Sequence, residues 1–230
     1  MGLKTGPLAL RLAEANRARK FDAFMALIEP TAETSVLDVG FTGEEYREGD
    51  NYLEKHYPYP ERITALGIDA TEKFAARYPE VKVVTYDGLR FPFGDQEFDV
   101  CWSNAVLEHV GDRARQVLFL QEVRRVAKRA FVTTPNKHFP VELHTRTPLL
   151  HYLPAPLFEK YLAMTGKAWA TGDYMKLLSL KDVRELLDEA GISGYSIIKN
   201  RLGAFIVDMV IVMDEAPAKD EHTNLLASHV

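Results

Sequence analysis

Residues Tyr86–Val110 read YDGLRFPFGDQEFDVCWSNAVLEHV. Within this stretch Phe98–Ser103 (FDVCWS) is a nearly continuous apolar run that closes on the polar pair Ser103-Asn104. That is the pattern of a parallel strand buried on both faces. The same pattern recurs on either side, at Ser35–Gly40 (SVLDVG), Arg62–Asp69 (RITALGID), Val81–Tyr86 (VKVVTY) and Ala130–Thr134 (AFVTT). Helical periodicity lies between the strands, over Thr71–Tyr78 and Asp112–Lys128. In the second of these Val117, Leu118, Leu120, Val123 and Val126 form an apolar stripe, and Arg124, Arg125 and Lys128 suit the negative end of the helix dipole. Repeated β–α units predict an α/β, doubly wound Rossmann-like sheet with helices on both faces.

Both ends of the chain depart from the alternation. Pro7–Ile28 reads as a helix, with Leu8, Leu12, Ala15, Phe21, Phe24, Met25 and Ile28 at roughly helical spacing, stopped by Pro30. Its basic cluster Arg17, Arg19 and Lys20 reads as a solvated face. Leu180–Ala190 reads as a helix closed by Gly191. Tyr195–Asn200 and Ala204–Met213, joined by Arg201-Leu202-Gly203, read as an antiparallel hairpin at the sheet edge. The expected sheet therefore has seven strands, the last antiparallel. The expected organisation is an N-terminal helical segment (1–30), one domain (31–213) and a flexible polar tail (214–230).

The chain has 230 residues and a formal net charge of −5, which suits one α/β domain and speaks against a nucleic-acid or anionic-membrane binder. A single cysteine, Cys101, excludes an intrachain disulfide and a multi-cysteine zinc site. It lies inside an apolar strand and reads as a packing residue. The longest apolar stretch, Ala204–Met213, contains Asp208 and is too short to span a membrane. The start lacks a signal-peptide core. A cytoplasmic protein is expected.

In open α/β sheets, ligands bind beyond the carboxyl ends of the strands. Asp38 and Gly40 close the first strand, Asp69 the second, Asp87-Gly88 follow the third and Ser103-Asn104 the fourth. A carboxylate after the second strand can accept both hydroxyls of a ribose. Asp87 can accept a hydrogen bond from an adenine amine, and a glycine after the first strand lets a ligand approach the backbone. The turn Gly40-Phe41-Thr42-Gly43-Glu44-Glu45 lacks the third glycine of a dinucleotide loop. Two glutamates there oppose a pyrophosphate and tolerate a ligand bearing a sulfonium and an ammonium. Two insertions, Phe41–Pro60 and 135–178, begin at strand ends and are expected to wall the site.

The ordered set resembles the class I S-adenosylmethionine-dependent methyltransferases, and Tyr86–Val110 resembles the small type 11 bacterial members nearly residue by residue. VLDVG (Val36–Gly40) is similar to the family's first motif, GIDA (Gly67–Ala70) to its acidic ribose-binding strand end, and FVTTPN (Phe131–Asn136) to its fifth strand. The resemblance implies S-adenosylmethionine as cofactor, with Asp69 and Ala70 at the ribose and Asp87, Gly88 and Leu89 at the adenine. It places Asp38, Gly40, Phe41, Ser103 and Asn104 near the methionine. Thr42 stands where the family usually carries a glycine, so the methionine end is expected to be held differently, by Phe41, Asn51 or Tyr52.

Methyl transfer needs an aligned nucleophile and, for a hydroxyl, a base. His109 in LEHV and His144 in the second insertion are the candidates, with Glu142 as an orienter of His144. His138, His144 and His151 with Glu142 have no recognised metal-ligand spacing, and no metal is expected. The aromatics Phe139, Tyr152, Phe158, Tyr161, Trp169 and Tyr174 suit either a lid core or a wall for a small acceptor. The expected reaction is O-methylation of a small molecule or glycan. The alternatives are a non-catalytic methyltransferase-like partner protein and an NAD-dependent oxidoreductase.

Overall fold

A computed structural model describes residues 7–69, 72–142, 145, 147–172 and 175–214, with positions 7–12 and 155 described by backbone alone. The strands are β1 (Val36–Val39), β2 (Ile63–Gly67), β3 (Lys82–Thr85), β4 (Phe98–Asn104), β5 (Ala127–Pro135), β6 (Val141–Glu142), β7 (Thr147–Pro148), β8 (Tyr195–Leu202) and β9 (Phe205–Met213). The helices are α1 (Pro7–Ile28), α2 (Tyr52–His56), α3 (Glu72–Arg77), α4 (Arg113–Val126), α5 (Ala155–Met164) and α6 (Leu180–Glu189). Seven strands form one sheet in the order β3-β2-β1-β4-β5-β9-β8. β1 to β5 are mutually parallel, and β9 runs antiparallel between β5 and β8.

Each element has a local cause. The β1, β2 and β4 side chains are buried on both faces, as their unbroken apolar runs require. Asp112 caps α4 through Arg115 N, and Ser179 with Asp182 closes a capping box on α6. α4 ends at Val126, two residues before the run that predicts it, because buried Ala127 already pairs with Phe98 as the first residue of β5. The hairpin turn falls at Gly203-Ala204, so β8 extends through Leu202.

Two apolar layers sandwich the sheet. One packs α4 and α6 (Phe119, Leu120, Val123, Val183, Leu186) on Leu37, Cys101 and Val132. The other packs α1, α2 and α3 (Phe21, Phe24, Leu53, Phe74) on Val36, Ala65, Trp102 and Phe131. Phe24 meets Trp102 and Phe131 edge-on, with centroids 5.0 and 5.6 Å away, and those two rings stack on each other. This fixes α1 across the sheet. The tail from residue 215, like residues 1–6, lies outside the described residues. Among the described residues no helix is long and apolar enough to cross a membrane.

Candidate active site

The strand order reverses between β1 and β4, so the crevice for a ligand opens above Val39-Gly40 and Asn104. Gly40 has φ +101°, its N–H bonds Leu66 O at 3.0 Å, and a Cβ there would stand 2.2 Å from Val106 Cγ2. Only glycine combines that backbone angle with that approach. Ser103 is fully buried and turns its hydroxyl inward to Val39 O at 3.2 Å, tying β4 to β1.

The nucleoside side is open. Asp69 is exposed at the end of β2 and its carboxylate has no hydrogen bond or ion pair among the described residues. Beside it Ile68 is 66% exposed and Leu89 41%, two apolar surfaces at adjacent strand ends. Asp87 Oδ1 accepts from Leu89 N at 2.9 Å and Arg90 N at 3.3 Å, which fixes the turn at Gly88 and leaves Oδ2 open to a ligand. Two exposed apolar side chains next to the carboxylates of Asp69 and Asp87 suit the face and the polar edges of a purine nucleoside. Ala70 lies outside the described residues.

The loop after β1 does not behave as the sequence led us to expect. Glu44 and Glu45 turn away from the crevice toward α3: Glu44 pairs with Lys73, and Glu45 with Arg77, Tyr78 and Lys55. Three cationic groups draw them there. Burial pushes Glu45 up, but hydrogen bonds from Tyr78, Lys55, Asn51 and Arg77 outweigh it and hold its pKa at about 2. Asn51 closes the same loop, accepting from Thr42 N and donating to Thr42 O, each at 2.8 Å. Phe41 lies across Gly67, where a Cβ would come within 2.6 Å of its ring, and against Phe74 with centroids 4.2 Å apart. Tyr52 packs on Phe21 and His56. These three residues build the loop.

Asp38, 5% exposed on β1, meets Glu54 of α2, 6% exposed. Burial raises the Asp38 carboxyl well above the ordinary range, and the Glu54 charge raises it further. Burial also raises Glu54, and its Oε1 has no hydrogen bond. A buried carboxyl pair with an open oxygen, beside the positive-φ glycine, fits an ammonium group. Cys101 next to it is buried, and burial raises its thiol well above the usual value, so it packs rather than reacts.

Lys20 corrects the reading of the α1 basic cluster as a solvated face. It is 6% exposed, donates to Asn104 Oδ1 at 2.7 Å and stands 3.7 Å from Asp208. Burial lowers its pKa while Asp208 opposes the shift. Arg17 pairs with Asp50. The missed signal is a stripe at i, i+4 on α1: Asn16, Lys20, Phe24 and Ile28 share one face. Asp208, alone in an apolar strand, is its partner.

His109 stands one short turn past Asn104, half-buried, with Nε2 4.0 Å from Glu108 Oε1. Glu108 is fully buried and accepts from Thr134 Oγ1 at 2.9 Å. His144 lies outside the described residues, as do Arg146 and Tyr174. Glu142 is buried and accepts from Thr145 N at 2.6 Å within the β6–β7 hairpin. Tyr152 and Trp169 are 48% and 53% exposed, which does not match a lid core. Among the described residues no three His, Cys, Asp or Glu side chains gather as metal ligands. A hollow of about 560 Å³ beneath Arg124 and Gly191–Gly194 lies at the opposite, amino-terminal end of the strands, away from this crevice.

Fold and crevice together define a nucleoside-binding α/β protein of the class I methyltransferase type. Residues 37–130 match the family described as "Methyltransferase domain". Over those residues the chain carries a methyltransferase domain of the class I S-adenosylmethionine-dependent type, with S-adenosylmethionine as the cofactor. That match goes against the oxidoreductase alternative. A search of curated proteins gives no significant match. Solved structures share the fold at low identity. A methyltransferase from Aquifex aeolicus is 18% identical with TM-score 0.52, covering 91% of this chain and all of its own. The 1,6-didemethyltoxoflavin-N1-methyltransferase of Burkholderia thailandensis, solved with S-adenosylhomocysteine, is 14% identical with TM-score 0.53, covering 87% of this chain and 78% of its own. The CurJ carbon methyltransferase is 16% identical with TM-score 0.55, covering 87% of this chain, which spans only 54% of the CurJ chain.

Proposed function

We propose that this methyltransferase acts on a hydroxyl of a small molecule or glycan, with His109 as the base. The observation that carries the reading is the His109–Glu108–Thr134 arrangement one turn beyond Asn104. S-adenosylmethionine, when bound, supplies a methyl group on a sulfonium that needs only an aligned nucleophile. Asp69 accepts the ribose hydroxyls, while Ile68 and Leu89 enclose the adenine and Asp87 receives its amine. The Asp38–Glu54 pair faces the ammonium end. His109 takes the acceptor's hydroxyl proton on an imidazole nitrogen, and buried Glu108 stabilises the imidazolium that results. His144 is the second candidate for the base. The net charge of −5 supports an acceptor other than nucleic acid.

Calorimetry with S-adenosylhomocysteine and with NAD tests the cofactor assignments. Binding of the first alone, lost in Asp69→Ala, is expected, and binding untouched by that change would overturn the ribose assignment. Transfer to a panel of hydroxylated small molecules and glycans tests the acceptor. His109→Asn is expected to lower kcat by about 10²–10⁴. Cofactor binding without transfer to any acceptor would favour the non-catalytic alternative.

A further inference from the structure

We propose that the insertion 135–178 and the tip of the β8–β9 hairpin form one face that docks on an anionic lipid bilayer.

Among the described residues six large apolar side chains of the insertion stand 41–77% exposed: Leu149, Tyr152, Leu153, Leu157, Met164 and Trp169. The arrangement is clearest on α5. Leu162 is buried and Phe158 and Tyr161 are half-buried, and this face docks the helix. Leu157, Lys160 and Met164, at i, i+3 and i+7, share the opposite face and are exposed. α5 packs against the turns Leu150–Tyr152 and Ala168–Ala170, which carry Tyr152 and Trp169. Leu149 enters the first of these turns with φ +59°, a left-handed conformation that a leucine seldom adopts, and its N–H bonds Pro140 O at 2.8 Å. A strained backbone that presents a leucine to solvent adds nothing to a core. An apolar surface of this extent marks a docking site.

The hairpin extends the face. Pro135, where the insertion leaves β5, pairs with Asp208, and Asn136 Nδ2 donates to Ile206 O at 3.0 Å. The turn at Gly203-Ala204 therefore lies beside the insertion, at the carboxyl end of the parallel strands, and it exposes Leu202 and Phe205. The crevice opens at the same end of the sheet, so docking sets it against the lipid surface.

Charge selects the occupant. The chain carries 28 Lys and Arg against 33 Asp and Glu, but residues 135–178 carry five against three. Of those three acids Glu142 is buried, and Glu159 accepts from Gly172 N at 3.4 Å. Lys137, Lys160 and Arg201 are exposed and make no ion pair among the described residues. The net charge of −5, which speaks against an anionic membrane, thus averages a basic face with an acidic remainder. A lysine in an apolar helix face, with Trp and Tyr on the adjoining turns, suits a bilayer interface. The apolar groups enter the acyl boundary, the amphipathic rings sit among the headgroups, and the ammonium reaches a lipid phosphate. A second copy of the chain would have to bury Lys160 in the middle of an apolar contact, whereas a headgroup layer meets it with charge.

Co-sedimentation of the full chain with vesicles tests this, using phosphatidylcholine alone and phosphatidylcholine mixed with phosphatidylserine. Binding to the mixed vesicles about tenfold or more stronger than to the neutral ones is expected, and it should weaken as salt is raised. Trp102 is buried, so a blue shift of tryptophan emission on binding reports Trp169. Binding without that shift would overturn the placement of the face. The double variant Leu157→Asp/Met164→Asp should bind about tenfold or more weakly, with an unchanged circular dichroism spectrum because both side chains are exposed. Lys160→Glu should weaken binding to the mixed vesicles by about tenfold. Lys82→Glu, the same charge change at the exposed start of β3 on the opposite end of the sheet, should stay within about twofold. No binding of the wild type to mixed vesicles, or equal losses in Lys160→Glu and Lys82→Glu, would overturn the proposal. So would a wild-type dimer, seen by sedimentation without vesicles, that the Leu157/Met164 double variant splits, because the face would then belong to a second copy.

Discussion

Gly40 and Val106 close on each other across the head of the crevice, leaving 2.2 Å between Val106 Cγ2 and the place where a Cβ on residue 40 would lie. The contact joins the loop after β1 to the segment after β4, the two sides of the topological switch. Gly40→Ala must therefore meet both a steric clash and a φ of +101°. We expect a loss of about 1–3 kcal/mol in unfolding free energy and a marked fall in S-adenosylhomocysteine affinity. Adding Val106→Ala should recover the part due to the clash and leave the part due to the backbone angle. Full recovery in the double variant would show that the positive φ is not a constraint.

Phe24→Ala tests how α1 is held. The ring is fully buried and meets Trp102 and Phe131 edge-on. Its removal should cost about 3–5 kcal/mol and lower the melting temperature by roughly 10 °C. Because α1 also carries Lys20 to Asn104, cofactor affinity should fall as well. Phe24→Leu should restore most of the stability and the affinity together. A variant that melts early yet binds normally would separate α1 docking from the site.

The centre of the sheet was legible because burial on both faces leaves a strong sequence trace in β1, β2 and β4, whereas the edge strand β3 is partly exposed and was placed by its position in the β–α alternation. The hairpin, α1 and α6 followed from Gly191, Gly203 and helical periodicity. The site was legible only where backbone geometry dictates the residue. Asp69 and Asp87 stand at strand ends, and Gly40 stands where nothing larger fits. Glu54 was not legible, because its meeting with Asp38 depends on how a short helix in an irregular insertion folds back. Lys20 was legible in principle from the Asn16-Lys20-Phe24-Ile28 stripe, but a charge within a basic cluster reads as solvated until Asp208 is placed opposite. The inward pull of Lys73, Arg77 and Lys55 on Glu44 and Glu45 is tertiary, and sequence spacing carries no trace of it.

Glu45 ties that loop to α3, and its contribution has a defined pH window. The carboxyl is held at about 2 in the folded chain, against an ordinary value of 4.5. As the pH falls the unfolded chain takes up the proton first, so the stabilisation is complete above about pH 4.5 and is lost toward pH 2. Glu45→Gln should lower stability at pH 7 by about 1–2 kcal/mol once solvent screening is allowed for. The difference between wild type and variant in urea unfolding should shrink as the pH is lowered through this window. A difference independent of pH would mean that the ion pairs at Glu45 do not stabilise the fold.

The Asp38–Glu54 pair has the opposite sign. Both carboxyls are raised in the folded chain, Asp38 by burial and the Glu54 charge and Glu54 by burial. Here the folded state holds protons that the unfolded state releases. The stability they allow is complete below the ordinary values of 3.8 and 4.5 and declines as the pH rises through the raised ones. Glu54→Gln removes one titrating group and the charge that lifts Asp38, so the decline of unfolding free energy on the alkaline side of pH 4.5 should flatten. The pair also couples to the ligand. An ammonium favours the ionised carboxylates, so S-adenosylhomocysteine should bind more tightly as the pH rises through the raised range and should release protons on binding there. Titrations in buffers of different ionisation enthalpy count those protons directly. In Glu54→Gln the count should fall toward zero, while for 5′-methylthioadenosine, which has no ammonium, it should already be near zero in the wild type. Equal proton release for the two nucleosides would remove the ammonium from this pair and leave the carboxyls as a structural feature of α2 docking.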